Sequence, residues 1–272
     1  MAELNENINP EETEAKELVK TDEQAEMLKT ALVFGQSEDD LRREFKEFKA
    51  LKLFRKLIFD LTASRDRDEF DGKIADAISY GFGGVLVFPT DIKRAKEKIG
   101  KADIEVIAAV CYPFGEDGAG VKKLAVKRVS TVGAGGVLLA VGVNAIKSGN
   151  VDFIRREIKR CLKVNKTLKL TAVIESGEMN AEEIERVTRM LSAIGVKSFC
   201  GGTGFCKRGD GTEYKIMRSF IKTDCELIAF DKSGKSDVTG LLQIVDRVVT
   251  ADGEKVVGEI RSRLALGSGS AG

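Results

Sequence analysis

No histidine and no tryptophan occur among the 272 residues, and tyrosine appears only three times. Without histidine there is no Ser-His-Asp triad, no Cys-His nucleophile pair and no histidine-containing zinc site. The shortage of stacking aromatics argues against a platform for single-stranded nucleic acid. No apolar run approaches the ~20 residues of a membrane span. Excess charge is missing too: 44 basic against 43 acidic residues leave a net charge of +1, which offers nothing to nucleic acid or to a membrane surface. The five cysteines are odd in number and lack paired spacing, Cys200 and Cys206 standing too far apart for a C-x-x-C motif. They read as small buried residues of a reduced protein. The first 20 residues are acidic and polar rather than signal-like. A cytoplasmic protein is expected, with no cofactor and no metal.

What is present is patterned. Residues 1–50 lack glycine except Gly35 and carry helical spacing. One helix starts at Asn9-Pro10-Glu11-Glu12 and presents Ala25, Leu28, Leu32 and Val33 on one face. A second starts at the capping-box-like Ser37-Glu38-Asp39-Asp40 and repeats Leu41, Phe45, Phe48 and Leu51. Residues 51–272 form a second domain with another rhythm. Short apolar runs at 57–62, 84–89, 104–111, 136–141, 168–175, 196–201, 227–231 and 263–267 alternate with amphipathic segments such as Ile154, Ile158, Cys161, Leu162 and Ile184, Val187, Leu191, Ile194. Near-continuous apolar strands imply a parallel sheet covered on both faces. Eight strand–helix units close into a (β/α)8 barrel, for which ~250 residues suffice. An open doubly wound sheet is the alternative. With the eighth run at 263–267, the eighth helix is expected to be missing or truncated. An N-terminal helix is then expected to fill its slot, in its own subunit or in a neighbour, or else to bind another protein.

The strand ends carry a resemblance. Val173-Ile174-Glu175-Ser176-Gly177-Glu178-Met179, followed by Ser198-Phe199-Cys200-Gly201-Gly202-Thr203-Gly204-Phe205, is similar to two neighbouring strand ends of the deoxyribose-phosphate aldolase family, I-I-E-T-G-E-L and F-I-K-T-S-T-G. Phe59-Asp60-Leu61-Thr62 resembles the family's D-L-T. Val87-Phe88-Pro89 and Cys111-Tyr112-Pro113-Phe114-Gly115 resemble its I-Y-P and N-F-P-x-G, and read as turn signals that set loop geometry. Ala145-Ile146-Lys147-Ser148-Gly149-Asn150 resembles A-L-x-x-G-N and fixes the register around the fourth run.

That resemblance implies an aldolase barrel whose working residues have changed. The family's Schiff-base lysine position is Cys200, and a thiol cannot form the iminium that stores the carbanion's electrons. The proton-transfer aspartate is Leu138. The lysine that perturbs the amine is Asp231, in Ala229-Phe230-Asp231-Lys232-Ser233-Gly234. An inward lysine of the fifth run is Thr171, while Asp60 and Glu175 are retained. Residual affinity for a sugar phosphate or other small anion is expected at Gly204, Gly234, Gly267, Ser268 and Ser270. Glu178 is expected to favour the N-terminus of the following helix. The expected function is therefore binding or assembly, as a homo-oligomer or with a protein partner through the N-terminal helices. Two alternatives keep catalysis. In one, the Schiff-base lysine has moved to Lys169, Lys207 or Lys232, although Lys169 also reads as a lysine at the bottom rim. In the other, Asp60, Glu175 and Asp231 bind a divalent cation.

Overall fold

The computed structural model describes residues 38–206, 209–231 and 237–265. Helix α1 (Glu38–Phe54) comes first, and by contact the chain divides within it, after Lys49. The helix expected upstream lies outside the described residues.

From β1 (Leu57–Asp60) the chain alternates. It runs α2 (Arg67–Tyr80), β2 (Gly84–Val87), α3 (Ile92–Ile99), β3 (Glu105–Val110), α4 (Ala119–Val132) and β4 (Gly136–Ala140). Then follow α5 (Val143–Lys147), α6 (Val151–Leu162), β5 (Lys169–Val173), α7 (Ala181–Ala193), β6 (Ser198–Cys200), α8 (Thr212–Phe220) and β7 (Glu226–Asp231). The last unit is α9 (Val238–Leu241), β8 (Arg247–Thr250) and α10 (Gly253–Arg263). Every neighbouring pair is parallel, and β8 pairs with β1 to close the barrel in chain order.

Local chemistry sets the joints. Asp66 accepts the Glu69 amide at 2.8 Å to start α2, and Gly81 ends it in the left-handed region. Asn180 and Glu183 form a reciprocal capping box on α7. Glu178 sits one step earlier, in a 3-10 turn over Ser176–Glu178, so Asn180 supplies the cap.

Alternation sorts the core into two sets. Phe59, Val85, Ala108, Val137, Leu139, Ala172, Phe199, Leu227, Ala229 and Val248 face the helix layer. Ile58, Leu86, Ile107, Ala109, Leu138, Val173, Cys200, Ile228, Phe230 and Val249 fill the interior.

The eighth unit departs from expectation. Its strand is Arg247–Thr250, and 263–267 is not a strand: Arg263 ends α10. The eighth helix is present. Val256, Val257 and Ile260 of α10 are buried against the barrel, beside α2 and α9. Among the described residues, the place after β8 is taken by α10. The expectation failed because α9 is one turn long and shows no helical period, and because β8 opens on an arginine.

The N-terminal mouth holds charges. The Lys169 ammonium bonds Glu226 at 2.7 Å, and Arg247 bonds Glu105 at 2.7 Å. Ser198 Oγ donates to Glu226 at 2.7 Å and shares a hydrogen bond with Thr171 at 2.8 Å. Gly84 makes room here, since a Cβ would stand 2.7 Å from the Arg247 guanidinium. Lys169 thus lies at the bottom rim, at the opposite end of the barrel from the strand C-termini where such barrels do chemistry.

Candidate active site

Cys200 closes β6 and is fully buried. Its thiol donates to the Gly202 carbonyl at 3.2 Å. Burial pushes its pKa up to about 12, so the group is a neutral thiol at physiological pH and a poor nucleophile. Leu138 reaches the same interior from β4, also fully buried. Both side chains belong to the same interior cluster.

Asp231 is not brought with them. Ile228 and Phe230 point inward, whereas Leu227 and Ala229 point outward. Period-two alternation therefore puts Asp231 on the outer face of the barrel wall. Phe230, not Asp231, is the β7 residue that meets the site. This corrects the expectation that Asp231 faces Cys200.

Asp60 is buried at the end of β1. One carboxylate oxygen accepts the Thr62 amide at 2.9 Å and the Thr62 hydroxyl at 2.6 Å, an Asx turn closed on its own loop. Glu175 follows β5 and accepts the Thr203 amide at 3.0 Å and the Thr203 hydroxyl. Burial raises its carboxyl above the usual range, against the pull of those two bonds. Ser176 Oγ donates to the Gly201 carbonyl at 2.6 Å, fastening the β5 and β6 ends together.

The glycine-rich turn after Cys200 is partly spent as an anion cradle. The Gly201 amide bonds Ile228 and the Phe205 amide bonds Thr203 Oγ1, while the Thr203 amide bonds Glu175. A Cβ on Gly202 would stand 3.4 Å from the second oxygen of Glu175, so a carboxyl group flanks the turn. Gly204 is left-handed, φ +74°. Gly234, Gly267, Ser268 and Ser270 lie outside the described residues, as do Lys207 and Lys232. Among the described residues no three Cys, Asp or Glu gather as metal ligands, and Asp60, Glu175 and Asp231 do not form such a group.

One residue of the site, Tyr112, stands in the sequence within a turn signal only. Ile107 and Ala109 of β3 face inward, so strict alternation would send Cys111 inward and Tyr112 outward. Cys111 has φ +54° instead, an uncommon conformation for a side chain with a Cβ. The flip seats Cys111 in the outer cluster and Tyr112 in the interior one. The Tyr112 ring packs at 6.5 Å from Phe230, 5.5 Å from Phe205 and 6.4 Å from Phe88, centroid to centroid. Its hydroxyl donates to the Thr203 carbonyl at 2.5 Å. Burial raises its phenol pKa, helped by the negative charge of Asp60, so the phenol stays protonated.

No protein-family model matches the chain. It is 30% identical over 151 residues to the deoxyribose-phosphate aldolase of Metamycoplasma arthritidis, a match spanning 55% of this chain and 70% of the relative. The chain belongs to the deoxyribose-phosphate aldolase family. Deoxyribose-phosphate aldolase 1 of Staphylococcus aureus is a further relative, 26% identical over 60% of this chain and 74% of its own. Among solved structures the barrel superposes on a deoxyribose-phosphate aldolase from Aeropyrum pernix with TM-score 0.70, at 17% identity over 84% of this chain and all of that one. That structure is described as tetrameric. A putative family aldolase from Coccidioides immitis gives TM-score 0.72 at 18% identity, over 82% of this chain and 96% of that one. At these identities the superpositions speak for the fold. Family and fold agree with the resemblance read from the strand ends.

Proposed function

We propose that this family member retains the aldolase barrel without the Schiff-base reaction, and that it acts in binding or assembly. The observation that carries this reading is Cys200: the end of β6 presents a buried neutral thiol rather than an amine, and only an amine can condense with an aldehyde to give an electron sink. Leu138, an apolar residue in the same interior, supports it, since it can neither give nor take a proton. Affinity for a sugar phosphate is residual and weak in this reading, because three amides of the β6 turn are engaged and Glu175 flanks it. Five free cysteines among the described residues suit a reducing compartment, and we place the protein in the cytoplasm. The tetrameric relative supports assembly with copies of itself.

The test is reductive trapping. The protein is incubated with acetaldehyde or deoxyribose-5-phosphate and borohydride, then weighed intact. No adduct is expected. A stoichiometric adduct mapped to Lys207 or Lys232 would establish a relocated lysine and overturn the reading. Lys169 does not qualify, because its ammonium is ion-paired at the far mouth.

A further inference from the structure

In a closed eight-stranded barrel, β3 and β7 stand on opposite walls, and β6 is next to β7. Tyr112 leaves β3 and meets Phe230 of β7 and the Thr203 carbonyl beyond β6. It therefore spans the C-terminal mouth. The left-handed turn at Cys111, φ +54°, that aims it inward is unfavourable for a non-glycine residue, so the surrounding contacts must hold it. Below the ring lie Cys200, Leu138 and Ile228, all buried and apolar or neutral.

We propose that Tyr112 is a built-in ligand surrogate: its phenol occupies the seat at the barrel mouth, and that seat takes a neutral phenol-sized aromatic molecule whenever Tyr112 is out of it. The recognising chemistry is that of the tyrosine itself. Phe88, Phe205 and Phe230 supply edge and face contacts to a ring. The Thr203 carbonyl supplies one acceptor for a hydroxyl or N–H donor. A sugar phosphate fits this seat poorly, having no ring face to stack and a dianion to place beside Glu175. The inference deepens the non-aldolase reading and rests on it for the ligand class.

Cys200 reports whether the seat is covered. In native wild-type protein, iodoacetamide followed by peptide mapping should leave Cys200 unmodified under conditions that label it fully in urea, since its side chain is fully buried. Labelling of native Cys200 at the rate seen in urea would overturn the proposal outright. In Tyr112→Ala, Cys200 labelling should rise at least tenfold, and millimolar p-cresol should suppress it and raise Tm. A folded Tyr112→Ala protein with Cys200 still protected, or one indifferent to p-cresol, would also overturn it. If Tyr112→Ala does not fold, Tyr112→Leu decides by the same two readouts, since it keeps apolar contacts but loses the hydroxyl and the reach. A borohydride adduct on wild-type protein would sink the non-aldolase reading without altering Cys200 protection, so the two failures are separable.

Discussion

The ammonium of Lys169 lies 2.7 Å from a carboxylate oxygen of Glu226, at the mouth of the barrel opposite the strand C-termini. This lysine closes a charge network with Arg247 and Glu105 rather than serving a carbonyl. Lys169→Ala should leave any aldehyde chemistry untouched. It should lower stability by about 1 kcal/mol, since the pair is part-exposed and Glu226 keeps Ser198 and Arg247 as neighbours. Chemical denaturation with a parallel acetaldehyde-trapping assay checks both halves. Loss of a trapped adduct in Lys169→Ala would contradict the assignment.

A second ion pair is far more demanding. Lys122 of α4 and Glu157 of α6 meet at 2.8 Å with both side chains almost wholly buried. Among the described residues the other oxygen of Glu157 has no hydrogen-bond partner. Removing one partner strands a buried charge. Lys122→Met should therefore cost about 3–5 kcal/mol. The double variant Lys122→Met/Glu157→Leu should recover most of that loss, because apolar replacement of a buried pair is often close to neutral. Equal destabilisation of single and double variants in urea would show that charge compensation is not what matters there.

Glu175 gives a pH signature. Its carboxyl is raised in the folded state by burial. A group that binds its proton more tightly when folded contributes stability in full below the unfolded pKa of ~4.3. That contribution is lost as pH rises through the folded value. Glu175→Gln keeps an oxygen for the Thr203 amide and hydroxyl but cannot ionise. Relative to wild type, the variant should gain stability between pH 4 and pH 8. Urea midpoints at the two pH values test this; a constant difference would mean that Glu175 titrates normally.

Restoring the lysine should not restore the reaction. Cys200→Lys puts a longer, ionisable chain into a fully buried site among Leu138, Ile228 and Phe230, and overpacking alone costs about 1–3 kcal/mol. Asp231 is not the obstacle, because it faces the outer side of the wall. The obstacles are burial and the Tyr112 ring across the mouth. The single variant should form no trapped acetaldehyde adduct, whereas Cys200→Lys/Tyr112→Ala should form one. Full trapping in the single variant would mean that the mouth is open.

Most of this was readable from the sequence, and the misreadings have local causes. Seven strands fall within two residues of their apolar runs, because buried parallel strands have little room for polar residues. Leu138 and Cys200 share the interior because the strand period of two carries both there. Asp231 was misplaced by one residue, which in a strand is a change of face. Tyr112 was hidden because a single positive φ at Cys111 inverts the alternation, and nothing but glycine or asparagine advertises such a φ in a sequence. The eighth strand was hidden by its length and by Arg247, whose charge belongs to the mouth network and not to an apolar run.

The last prediction concerns that eighth unit. Gly253 opens α10 so close to the barrel that a Cβ would stand 3.1 Å from the Phe59 ring and 3.2 Å from Phe82. Three further residues of the helix, Val256, Val257 and Ile260, are buried. Gly253→Val should therefore lift the helix and cost about 1–3 kcal/mol. A chain ending at Asp252 should be insoluble, since it uncovers the apolar faces of β8 and β1 that α10 shields. Deleting residues 1–37 should leave the melting temperature unchanged, because the slot flanking β8 is already occupied. Solubility and thermal melts of the three variants decide the matter. If the N-terminal deletion aggregates while the truncation at Asp252 remains folded, α10 is not the helix that completes the barrel.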